Sequence, residues 1–332
     1  MASNSDLHAL LRQDFRAFVL KVFGTLNPGE EFIDNWHIDA IIWCVIQILA
    51  GKTRRQMIAV PPRTLKSMIV SVALPAFILG SDPTRRIFVV SHSLDLAEVH
   101  HSAFRKIIES DWYREAFPTM QPDAEKNTAL TFRTNQGGER KALSVESKIT
   151  GQGSHYTILD DPLDASDALN ETTGEKTNNW IADVLSSRFN RPDDGVLILV
   201  MQRLTINDPV AYLAKLEPWS ILSLPAIAAQ DVEIPVGSEK VHLFRKGDLL
   251  HPKFLTAEFL ENRRSVMGIS AFSAQYLQAP LPPGGGVIDV SQFQSYQKLP
   301  IARDTRFISV DAASGSDSGS YSVFQIWQIT NG

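Results

Sequence analysis

The segment Tyr156-Thr157-Ile158-Leu159-Asp160-Asp161-Pro162 is an apolar run that stops at two adjacent carboxylates, and it limits this chain more than any other stretch. Such a run reads as a β-strand, and parallel sheets place their ligands beyond the carboxyl ends of their strands. A second strand-to-turn segment lies upstream. The apolar strand Gln56 to Val60 passes through Pro61-Pro62-Arg63-Thr64-Leu65 into Lys66-Ser67 and an amphipathic helix over Leu65 to Leu79. A lysine and a hydroxyl residue at a helix start suit a phosphate chain: Lys66 supplies a point charge to the β- and γ-phosphates, and Ser67 a magnesium ligand. The acidic pair complements them. Asp160 serves the metal directly or through water, and Asp161 polarises an attacking water. Glycine is usual in such a loop where this chain has Val60 and Leu65, so Leu65 leaves the loop geometry open.

The pattern around these segments predicts an α/β fold with a mostly parallel sheet flanked by helices. Two amphipathic helices, about Leu7 to Phe23 and Asp34 to Ala50, come first. The alternation follows: strand Gln56 to Val60, helix Leu65 to Leu79, strand Arg86 to Ser91, helix Leu94 to Ser110. Then come β-rich Leu130 to Arg133 and Lys141 to Glu146, strand Tyr156 to Asp160, a helix around Asp167 to Phe189, and strands Val196 to Met201 and Trp219 to Leu224. Short helices are expected over Glu258 to Met267 and Ser270 to Gln278. Pro280, Pro282, Pro283 and Gly284 to Gly286 read as a linker. Beyond it lie strands Arg306 to Ala312 and Tyr321 to Ile329.

Composition excludes some classes. The longest apolar runs are interrupted or too short to cross a bilayer, and no secretory pattern opens the chain, so a cytoplasmic protein without membrane contact is expected. The single cysteine, Cys44, lies among Ile41, Ile42, Trp43 and Val45 and reads as a core thiol. A net charge of -5 argues against a uniformly basic nucleic-acid surface but leaves room for a local basic channel.

A third element, the strand Val196 to Met201 running into Gln202-Arg203-Leu204, places an amide where it can sense a γ-phosphate. With it a family resemblance takes shape. Pro61-Pro62-Arg63 before the lysine, Asp160-Asp161-Pro162, and Met201-Gln202-Arg203-Leu204 occur in the order found in the large subunit of tailed-phage terminases, the viral genome-packaging proteins. The chain resembles that family over about residues 30 to 332, with Gly151 and Gly153 before the acidic strand and Gln275-Tyr276 before the linker as weaker features.

The resemblance implies a P-loop ATPase of the additional-strand (ASCE) type, with the Gln202 strand between the Lys66 and Asp160 strands. Its organisation would be a helical lead-in (1–55), an ATPase core (56–228), a small lid (229–279), a linker (280–305) and the start of an RNase H-like nuclease (306–332). Pro61 to Ser67 would bind ATP, Arg63 would act on the γ-phosphate in cis, and Trp36 and His37 would lie near adenine. The implied partners are double-stranded DNA, a portal protein, a small terminase subunit and a homo-oligomeric ring, a pentamer, docked on a procapsid in the host cytoplasm. Gln152 stands where many relatives carry arginine, which leaves Arg133, Arg140, Arg188 and Arg203 as candidates to act in trans. Asp311 would be the first ligand of a Mg2+ or Mn2+ nuclease site, and Asp317 reads as a turn residue. Two-metal cleavage needs further carboxylates, so a truncated nuclease is expected. Two other classes remain: a metal-dependent nuclease, and a helicase-like ATPase or phosphotransferase outside packaging.

Overall fold

The computed structural model describes residues 4–124, 127–145, 147, 153–185, 189, 194–282, 306–311 and 323–328. The lead-in holds one more helix than the periodicity predicts: α1 (Asn4–Gln13) and α2 (Phe15–Leu26) replace the single helix expected over Leu7 to Phe23. Asp14 makes the break. Its carboxylate accepts from the Ala17 N–H, satisfying one of the free donors at the start of α2. Helix α3 (Trp36–Leu49) follows and presents Ile38, Ile41, Ile42, Val45 and Ile48 to the core.

Strand β1 (Arg55–Ala59) leads into the loop and then into a π-helical turn, Met68–Ala73, that continues as α4 (Leu74–Ser81). The wide turn has a local cause. Pro75 has no N–H to give the Ser71 carbonyl, so the ordinary i to i−4 bond cannot form there. The Arg140 guanidinium donates to that carbonyl instead, at 3.0 Å.

The chain continues through β2 (Arg86–Ser91), α5 (Leu94–Ile108), α6 (Asp111–Ala116), β3 (Thr131–Arg133), β4 (Glu139–Ser144), β5 (Tyr156–Asp160) and α7 (Glu171–Trp180). Strand β6 (Val196–Met201), α8 (Pro209–Leu216) and β7 (Ser220–Ser223) complete the sheet. Its order is β3-β4-β2-β5-β6-β1-β7, and every pair is parallel except β3 with β4. The α/β fold is therefore as expected, with β6 lying between β1 and β5. All six residues of β6, Val-Leu-Ile-Leu-Val-Met, are buried, as a parallel strand covered on both faces requires. Successive residues alternate between two cores: Ile58, Ile158 and Ile198 face the α2/α3 side, while Met57, Leu159 and Leu199 face the side of α8.

Other elements differ from the sequence reading. The helix expected to reach Phe189 is shorter: α7 ends at Trp180, a π-turn spans Ile181–Leu185, and Phe189 forms a bridge with Ser154. A hairpin of β8 (Val232–Pro235) and β9 (Val241–Phe244) occupies a stretch whose short, mixed pattern gave no strand signal. Helix α9 (Ala257–Gln275) covers the ground of two expected helices, and the boundary between them survives as a break at Gly268, with φ 80° and ψ 163°. No helix of the described residues is long and apolar enough to cross a membrane.

Residues Met1–Gly286 form one compact unit and Val287–Gly332 a second, so the division falls at the end of the Pro/Gly run and segment 229–279 belongs to the first unit. In the second unit β10 (Arg306–Asp311) pairs antiparallel with β11 (Val323–Gln328), with Asp311 opposite Val323 at the end of the ladder. Gly151, Gln152, Arg188 and Asp317 lie outside the described residues.

Candidate active site

Because β1, β5 and β6 are adjacent and parallel, their carboxyl ends emerge side by side, one strand spacing apart. From β1 comes the loop 60–67, from β5 the acidic pair, and from β6 Gln202. The loop turns through two left-handed residues that are not glycine, Arg63 and Leu65, both with φ 61°. Leu65 thus holds the conformation that glycine would reach without a side-chain penalty. Its side chain packs against the core, and the Thr64 hydroxyl donates to the Pro61 carbonyl at 2.8 Å across the turn. These contacts hold the strained backbone in place.

Lys66 is buried at the centre. Its ammonium donates to Gln202 Oε1 at 2.6 Å and lies 3.1 Å from Asp161 Oδ2, so one charge joins the three strand ends. Beside it the Ser67 hydroxyl donates to Asp160 Oδ1 at 2.9 Å, and Asp160 is fully buried. Asp161 is a third left-handed residue, with φ 44°. Burial pushes its carboxyl above the ordinary range; the Lys66 charge pulls it back and the neighbouring Asp160 opposes that pull.

Behind the acidic pair stands a cluster that the sequence reading missed. His100 Nδ1, on α5, lies 3.4 Å from Asp160 Oδ2, and burial lowers the pKa of this imidazole. Arg140, on β4, is wholly buried, bonded to His101 Nδ1 at 2.7 Å and set over the Phe104 ring at 5.0 Å. Burial lowers its pKa to about 9. A guanidinium so enclosed cannot reach a neighbouring subunit, so Arg140 is removed from the candidates to act in trans. Arg133 is engaged with Glu139 at 2.6 Å, and Arg203 with Asp208 at 2.8 Å.

In front of the loop opens a cavity of about 650 Å3. Arg63 to Ser67, Asp161 and Gln202 line one end, and Arg63 is exposed at its rim. Phe23, Ile33, Ile38 and Phe254 supply apolar wall, and Asn27, His37, His251 and the carboxylates Glu30 and Glu31 are also among the lining residues. The size and the apolar wall with a few polar groups suit a nucleotide base beside its phosphates. His37 is therefore in the cavity, its Nδ1 bonded by the Asn35 amide, and burial with the nearby His251 pushes its pKa down to about 4. Trp36 is not among the lining residues. Its ring stacks on His242 of β9 at 4.1 Å and packs against Phe244, which fastens α3 to the β8–β9 hairpin. Phe23, His251 and Phe254 come from distant parts of the chain, and no spacing rule joins them.

Magnesium fits the residues present. Ser67 and Asp160 offer hard oxygen donors side by side, and Asp161 Oδ1 is buried without a hydrogen-bond partner among the described residues. No group of three or more His, Cys, Asp or Glu side chains among the described residues forms a self-sufficient metal centre. A site in which phosphate and water supply the remaining ligands needs none.

No family model matches the chain, and no curated protein matches it. Solved structures do. The ATPase domain of the Thermus phage P74-26 large terminase is 14% identical over 77% of this chain and 96% of that one, with a TM-score of 0.45. The HK97 bacteriophage large terminase is 14% identical over 99% of this chain and 67% of that one, with a TM-score of 0.49. The large terminase of the thermophilic bacteriophage D6E in complex with ADP is 12% identical over 95% of this chain and 65% of that one, with a TM-score of 0.41. The chain spans about two thirds of the length of the latter two. It is similar to these phage large terminases, while its α/β assignment rests on its own strand order and register.

Proposed function

We propose that the chain is a magnesium-dependent ATPase of the additional-strand P-loop class and works as a motor that packages double-stranded DNA into a procapsid. One observation carries the ATPase reading: Lys66 meets both Asp161 and Gln202, while Ser67 meets Asp160, at the ends of three adjacent parallel strands. Lys66 binds the β- and γ-phosphates, and Ser67 and Asp160 hold Mg2+. When bound, Mg2+ neutralises charge on the phosphate oxygens. Asp161 orients the attacking water and accepts its proton.

The contact between Lys66 and Asp161 adds a control. A γ-phosphate competes for the ammonium, and a carboxyl raised by burial that loses its nearest cation becomes a stronger base. Arg63, at the cavity rim, supplies positive charge as the γ-phosphate separates. Gln202 exchanges its Lys66 contact for the γ-phosphate and loses that contact after cleavage.

The packaging role rests on the joint order of Arg63, Asp160-Asp161, Gln202 and Asp311. It brings with it a pentameric ring on a portal protein in the host cytoplasm, a small terminase subunit, and a C-terminal nuclease with Asp311 as its first Mg2+ or Mn2+ ligand. Purified protein is expected to hydrolyse ATP with Mg2+, faster with portal and DNA added. Hydrolysis that portal and DNA leave unchanged would favour an ATPase outside packaging.

A further inference from the structure

Strand β6 ends at Met201, whose carbonyl accepts from the Val60 N–H at 3.2 Å. Past that point the chain needs other acceptors for its backbone donors. Two side chains supply them. The Leu204 N–H donates to Asp208 Oδ2 at 2.8 Å, and the Arg203 N–H donates to Gln278 Oε1 at 3.0 Å. Asp208 is a local clamp, since it also caps α8 through the Ala211 N–H and holds the Arg203 guanidinium. Gln278 comes from 75 residues away.

Gln278 is held as firmly as the peptide it binds. It is buried, and its backbone is left-handed at φ 54°. Its amide nitrogen donates to the Gln275 carbonyl at the end of α9, at 2.6 Å. A carbonyl only accepts, so the atom facing it is the nitrogen, and Oε1 is the atom left to face Arg203. The turn that carries Gln278 is itself anchored: the Ala226 N–H donates to the Tyr276 carbonyl at 2.6 Å, and the Ala279 N–H to the Ser273 carbonyl at 2.9 Å. A continuous path of hydrogen bonds therefore runs from Lys66 Nζ to Gln202, along one peptide to Arg203, and on through Gln278 to the end of α9.

We propose that Gln278 is a positioning residue for Gln202: by holding the Arg203 N–H it fixes the peptide between 202 and 203, and with it the direction in which the Gln202 amide meets the phosphate end of the cavity. This rests on the ATPase reading. The bond also ties the phosphate end of the cavity to α9, seven residues beyond the Gly268 break.

The test uses the full chain and two substitutions. Gln278→Met keeps the length and removes the acceptor; Gln278→Gly removes the side chain but suits the left-handed backbone. Steady-state ATP hydrolysis, ADP binding and the melting temperature are measured for each. Both variants are expected to lower kcat about 10- to 100-fold, the scale set by misplacing a group at a reacting centre. KM for ATP and ADP affinity are expected to stay near those of the parent, and the melting temperature to fall by no more than a few degrees, the cost of leaving the Arg203 N–H without its acceptor. In a Gln202→Ala background, Gln278→Met is expected to cause no further loss, because both changes remove the same positioned group. Unchanged kcat in both single variants, a loss carried by KM and ADP affinity, or an additive loss in the double variant would overturn the proposal. A parent protein without ATP hydrolysis, or one indifferent to Lys66→Ala, would overturn the ATPase reading instead.

Discussion

Leu65 shows how a residue that breaks a familiar loop pattern can still hold the loop. Its φ of 61° is what glycine would supply without cost, and its side chain offsets part of the strain by packing against the core. Leu65→Gly relieves strain but gives up that packing and loosens the unfolded chain, so stability is expected to shift by no more than about 1 kcal/mol. Leu65→Val places a β-branched side chain at the same φ and is expected to cost about 2 kcal/mol or more. Chemical denaturation of the two variants checks this, and a valine variant as stable as the glycine variant would contradict the left-handed loop. His37 carries a pH dependence. Its folded pKa of about 4 lies below the ordinary 6.5, so its neutral form stabilises the fold above about pH 6.5, and that stability is lost as pH falls toward 4. The shift corresponds to roughly 3 kcal/mol, and His37→Gln is expected to flatten stability across this window. An acid limb of the same slope in the variant would rule the buried imidazole out as its source.

Among the elements, β2, β5 and β6 are the most legible in the sequence, because each is an apolar run closed by polar or turn residues, whereas β4, Glu-Arg-Lys-Ala-Leu-Ser, is half polar and begins two residues before the expected Lys141. The expected bounds Tyr156 to Asp160 and Val196 to Met201 are those of β5 and β6. The β8–β9 hairpin was not legible: its strands are four residues each, half exposed, and held partly by the stacking of Trp36 on His242, a contact no local pattern reveals. The same contact takes Trp36 away from the cavity, where the resemblance places it beside adenine. The phosphate end of the site was legible because each member sits at a strand end or helix start. Phe23, His251, Phe254, His100 and Gln278 were not, because they reach the site only through tertiary packing. The close approach of the chain before β2 to the chain before β4 gives a prediction for an element. A Cβ on Gly138, at the approach to β4, would lie 2.1 Å from the Pro83 carbonyl oxygen, a backbone atom that cannot move aside alone. Gly138→Ala is expected to destabilise the first unit by about 1–3 kcal/mol in equilibrium unfolding, and an unchanged midpoint would contradict the close approach.

For the whole molecule, the sheet order brings the charge of Lys66, the acid pair and the Gln202 amide to one point, and α2, α3 and the segment around His251 wall off a cavity beside it. The buried positive charge of Arg140 and the imidazole of His100 stand behind Asp160, so the acidic pair is supported from within the fold as well as from the loop. The measurement that bears most directly on the proposed activity is magnesium-dependent ATP hydrolysis by the parent chain, Lys66→Ala and Asp161→Asn, with nucleotide binding followed in parallel. Both substitutions are expected to lower turnover by at least about 100-fold, with Asp161→Asn still binding ATP and Lys66→Ala binding it weakly. Turnover unchanged in both variants would contradict the assignment of this site as an ATPase.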